Sequence, residues 1–127
     1  MSERVYTIEV YGTPPSLNQL GARGSSRQWH RKKKQLQNEV ELLLLAEGVP
    51  KRLARAEVTG TLYFPTVRGR DEGNYRSILE KAVGDALVNG GWLADDTPNR
   101  YSFGKLQLLS RPRQQPRTLL SFTTTKE

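Results

Sequence analysis

From Val5 to Tyr11 the chain reads VYTIEVY, apolar and polar residues in alternation. A period of two belongs to a strand with one buried face. GTPPS at 12–16 ends it, because glycine and proline interrupt regular structure. Residues 16–27 hold Gly, Ser, Asn and Arg without periodicity and predict a mobile loop. From Arg27 to Glu47 the pattern turns helical: Trp29, Leu36, Val40, Leu43 and Leu44 share one stripe, and Gly48 and Pro50 stop it. AEVTGTLYF at 56–64 predicts a second strand, and Pro65 to Gly73 a loop. A second helix is predicted over 74–89, ended by NGG. Residues 100–109 and 117–125 read as two more strands, joined by the basic, proline-rich turn SRPRQQPR. The order β-α-β-α-β-β predicts a mixed α/β (α+β) fold: a mixed β-sheet with two main helices packed on it, as one domain over 1–127.

Composition narrows this. The hydrophobic fraction is 35% and the mean hydropathy −0.66, so the core is thin and the polar surface wide. Twenty Lys and Arg against 13 Asp and Glu give a net charge of +7 and a pI of about 10.0. A basic domain of this size suits a polyanion, nucleic acid first; docking on an acidic protein is the alternative. No residue from 10 to 38 is acidic. Arg23, Arg27, Arg31, Lys32, Lys33 and Lys34, with Arg68 and Arg70, are therefore the expected backbone contacts. His30, the single histidine, lies in that run as a phosphate contact or a bystander. Trp29 is expected to pack in the core, as is Trp92; Arg111, Arg113 and Arg117 are either a second contact or a soluble turn. The absence of cysteine excludes disulfides, thiolate metal sites and a cysteine nucleophile. MSERVYTIEV has no signal-type apolar core, and the longest apolar run, LLLLA at 42–46, is too short for a bilayer. A soluble, cytoplasmic protein with no membrane partner is expected.

Acidic residues inside a basic stretch are the chemical anomaly. Asp71 and Glu72 directly follow Arg68 and Arg70, and Asp95 and Asp96 occupy a loop after the second helix. At about 100° per residue, Asn74, Lys81 and Asp85 fall nearly in line on that helix. If the two acidic pairs converge, hard oxygen ligands favour Mg²⁺, with Mn²⁺ possible. Such an ion lowers the pKa of a bound water and neutralises charge in phosphodiester cleavage. A lysine then steadies the transition state. Structural alternatives stand beside this: Asp71 as a helix cap, Glu72 at the positive helix end, Lys81 and Asp85 as a helix pair, Asp95 and Asp96 as turn residues.

PPSLNQ at 14–19, RDEGN at 70–74, KAVGDAL at 81–87 and WLADD at 92–96, in this order, resemble the RusA family of Holliday junction resolvases, common in phages. The resemblance covers most of the chain and is weakest over 20–55. It implies a Mg²⁺-dependent endonuclease, acting as a homodimer on four-way or branched DNA with paired nicks, in the cytoplasm of a bacterial host. Asp71, Asp96 and Lys81 fall on the family's catalytic positions, and Asn74 and Asp85 also match. The family's second entrance aspartate falls on Gly73, and four residues more separate Asn74 from Lys81 than in the family pattern. Glu72, Asp85 or Asp95 would then supply the missing metal ligand. A junction-binding protein without cleavage is the alternative reading.

Overall fold

The computed structural model describes residues 3–17 and 25–127. The elements are β1 (Glu3–Tyr11), α1 (Ser25–Ala46), β2 (Leu53–Phe64), α2 (Gly73–Asn89), β3 (Tyr101–Ser110) and β4 (Arg117–Lys126). This is the predicted order, and the fold is the mixed α+β expected. The sheet runs β1-β4-β2-β3, with β4 antiparallel to both neighbours and β2 parallel to β3. Parallel neighbours need a crossover, which α2 supplies between β2 and β3. β1 and β2 flank β4 and run the same way, so α1 makes a second crossover over the inserted strand. The helices pack against each other, α1 also on β1 and α2 on β3.

Alternation decides which side of each strand is buried. Ala56, Val58, Gly60, Leu62 and Phe64 of β2, and Thr118, Leu120, Phe122 and Thr124 of β4, point inward. They meet Val40 and Leu44 of α1 and Leu79, Val83, Ala86 and Leu87 of α2. Trp92 is fully buried and donates Nε1–H to the Val49 carbonyl at 2.9 Å. Trp92 thus holds the chain leaving α2 against the chain leaving α1. Trp29, by contrast, is only half-buried, edge-on to His30, because the core-facing stripe of α1 begins at Leu36. β2 starts three residues before the alternation predicts, since the Leu53 amide bonds to the Trp92 carbonyl and Leu53 pairs with Lys126. No helix among the described residues is long and apolar enough to cross a membrane.

One irregularity shapes the site. The β2–β3 register shifts between Val58 and Gly60, and an extra β3 residue is accommodated near Gly104. Arg76 of α2 donates to the Phe103 and Gly104 carbonyls there, at 3.0 and 2.6 Å. A bulge leaves carbonyls unpaired in the ladder, and the guanidinium takes them up. At the other end of the contact, Gly84 lies under the Tyr101 ring, where a Cβ would stand 2.9 Å from Cε2. The Tyr101 hydroxyl donates to the Glu80 carbonyl at 2.7 Å. Helix and strand are thus fixed at two levels, and the acidic loop 94–100 is held between them.

Candidate active site

The entrance to α2 is built from backbone. Asp71 Oδ1 accepts from the Gly73 amide at 3.1 Å, satisfying one of the amides that a helix start leaves without a partner. Glu72 accepts from Arg76 Nε at 2.6 Å, one turn on. Arg70 bonds to Thr66 Oγ1 at 2.6 Å and lays its guanidinium over the Phe64 ring at 3.9 Å. Asp71 lines an open cleft with Ser16, Arg68, Gly69, Arg70, Asn74 and Tyr75. An anion entering there meets one carboxylate and two arginines.

A second cleft opens one turn further along α2, with Ser77 in place of Asn74. It is lined by Glu80, Lys81, Asp96, Pro98 and the start of β3 from Tyr101 to Phe103. Lys81 is 53% exposed and pairs with Asp85 Oδ1 at 3.2 Å. Asp96 is exposed and makes no hydrogen bond or ion pair among the described residues. Asp95, next to it, accepts from the Thr97 hydroxyl at 2.7 Å and amide at 3.1 Å, with Arg100 at 3.5 Å. Those bonds hold its carboxyl below the ordinary range. The Asp95–Thr97 turn orients the loop, and Asp96 lines the same cleft as Lys81. The Tyr101 hydroxyl has its pKa pushed far up by burial and by the negative potential of Glu80, Asp96 and Asp85. It stays protonated and serves as a hydrogen-bond donor.

Asp85 is engaged twice. Lys33 of α1 reaches it at 2.6 Å, and Lys81 holds its other oxygen. Burial raises its pKa, but the two lysine hydrogen bonds and charges outweigh that and hold it below the usual carboxylate value. Lys33, expected on DNA, is turned into this tie between helices and only 14% exposed. Arg27, Arg31, Lys32 and Lys34 are exposed, while Arg23 lies outside the described residues. Lys32 lines a cleft with Tyr11 to Pro15, at the sheet end where Asp71 also lies.

The two acidic turns therefore line neighbouring clefts along one helix instead of a single pocket. Among the described residues no three carboxylate or imidazole groups gather where an ion could sit. Of the sequence-derived ligand candidates, Asp71, Glu72, Asp85 and Asp95 are each engaged by a backbone amide, a hydroxyl or a cation, and Asp96 is not. Glu80 and Tyr101, beside Asp96, carried no signal in the sequence. Glu80 sits at an ordinary exposed helix position, and only the β3 pairing brings Tyr101 over it.

No family model and no curated protein matches the chain. Among solved structures, the crystal structure of a hydrogenase maturation protein, HypE, aligns with all of this chain and 32% of its own length. The identity is 10% and the TM-score 0.39, a likeness that carries no argument about fold or function.

Proposed function

We propose that the protein is a Mg²⁺-dependent endonuclease that nicks branched DNA, four-way junctions in particular, as a homodimer. The observation that carries this reading is the unpaired Asp96 carboxylate lining the same open cleft as Lys81, next along α2 from the Asp71 cleft. The order of RDEGN, KAVGDAL and WLADD, resembling the RusA family, supports it. Mg²⁺ is commonly held by one or two carboxylates, with waters and substrate phosphates completing its shell. Asp96 fits that role, while Asp71 lines the adjacent cleft and would face a neighbouring phosphate. The ion would lower the pKa of a bound water and neutralise the scissile phosphate.

The chain's own groups do the rest. Lys81, anchored by Asp85, offers its ammonium to the charge that builds on the phosphate oxygens. Arg68 and the exposed cations of α1 draw the backbone in. The two-fold symmetry of a four-way junction suits a dimer with one site on each of two opposed strands. Leu42 and Leu45, 67% and 54% exposed on α1, are the candidate dimer surface.

A second reading has its own observation. Four of the five candidate ligands are already engaged, which suits a protein that binds junctions without cutting them. Incubation of a labelled four-way junction with protein and Mg²⁺, beside linear duplex of the same sequence, separates the two. Paired nicks near the crossover, absent with EDTA, are expected. A retained complex without nicks supports the binding module, and no preference for DNA overturns both.

A further inference from the structure

We infer that the β3–β4 turn, residues 111–116, is a second phosphate-binding element continuous with the Arg68–Arg70 loop. This deepens the function proposed above and takes its ligand, branched DNA, from that reading.

The topology brings two distant basic segments to one end of the molecule. β2 and β3 are parallel, so both finish at the end where β4 begins. The Arg111 amide donates to the Phe64 carbonyl at 2.7 Å, and the Gly12 amide to the Pro116 carbonyl at 2.8 Å. The turn is thereby tied to the ends of β1 and β2. Arg68, Arg70, Arg111, Arg113 and Arg117 all lie at that end, Arg70 on the helix side of the sheet against Phe64 and Arg111 and Arg117 on the other side by Tyr63. In sequence they are two unrelated runs.

The guanidinium groups are held by rings more than by acids. Arg70 stacks on Phe64 at 3.9 Å, and Arg117 on Tyr63 at 4.2 Å. Arg111 lies 5.7 Å from the Tyr63 centroid. Glu9 stands 3.8 Å from Arg117, and Glu72 is taken by Arg76. The Nε atoms of Arg70 and Arg117 are buried with no hydrogen-bond partner. Arg70 spends its terminal nitrogens on Thr66 and the Arg68 carbonyl and offers charge alone, whereas the Arg117 guanidinium is oriented in advance by its stack on Tyr63. Arg113 adopts a left-handed φ of 70° at the tip, a conformation L residues rarely take. An acidic protein surface would meet the same cations. DNA is favoured because the arginines continue the Asp71 cleft, and phosphate contacts fix the register of a duplex along its backbone.

The test is binding of a labelled four-way junction in EDTA across a salt series, with cutting then read in Mg²⁺. Arg111→Gln/Arg113→Gln should reduce the slope of log affinity against log salt by about 1.8, the release expected for two phosphate contacts. Arg52→Gln/Lys126→Gln removes the same charge at the opposite end of β2 and β4 and should leave the slope unchanged. Equal slopes for both variants, or no junction binding by the wild type, overturn the inference. A full slope loss in the turn variant with no nicking by any chain supports the turn and overturns the nuclease. Normal nicking with an unchanged slope does the reverse. Thermal midpoints within about a degree of wild type exclude misfolding as the cause.

Discussion

Asp85 shows how one carboxylate can serve two ends. Lys33 ties it to α1, and Lys81 uses it as an anchor facing the second cleft. Its pKa is lowered in the folded chain, so it holds fewer protons there than when unfolded over that range. The contribution is fully present above the unfolded carboxylate pKa of about 3.9 and is lost as pH falls through the folded value. At neutral pH, Asp85→Asn should therefore be less stable than wild type. The gap between their thermal midpoints should close on acidification below about pH 4. A gap that persists unchanged at low pH would show that packing, and not charge, holds the two helices there. The i, i+4 spacing of Lys81 and Asp85 was plain in the sequence. Lys33 was not, since nothing in a run of four cations says which one faces the neighbouring helix.

At the scale of elements, every helix and strand followed from periodicity, and the reason is physical. The core is one-sided, so strands alternate cleanly, and α1 and α2 each end at glycine. What periodicity could not give is the level at which β3 crosses α2. That level is set by Gly84 under Tyr101 and by Arg76 on the bulge, contacts between residues 17 to 28 positions apart. It fixes which turn of α2 faces Asp96, and so whether the acidic loops share a pocket. Gly84→Ala should cost about 1 kcal/mol, because overpacking against the ring (1–3 kcal/mol) exceeds the gain in helix propensity (~1 kcal/mol). Chemical denaturation measures this. A neutral or stabilising result would mean that the ring shifts freely and is not what sets the crossing.

For the whole molecule, charge is unevenly placed. Arginines from the 68–70 and 111–117 segments and the exposed cations of α1 lie toward one end of the sheet. The acidic residues of α2 and the loop after it are tied by lysines, by Arg76 or by the Asp95 turn, except Asp96. The basic composition announced a polyanion partner. The placing of Arg111, Arg113 and Arg117 at the same end as Arg68 and Arg70 required the parallel β2–β3 pairing, which no local pattern encodes.

The account turns on Asp96 as the free carboxylate of the cleft. The most direct measurement compares wild type with Asp96→Asn for both binding and Mg²⁺-dependent nicking of a four-way junction. Loss of nicking by two orders of magnitude or more, roughly 3 kcal/mol of transition-state stabilisation, is predicted, with binding equal or tighter once a negative charge is gone. Nicking by Asp96→Asn at the wild-type rate would contradict it.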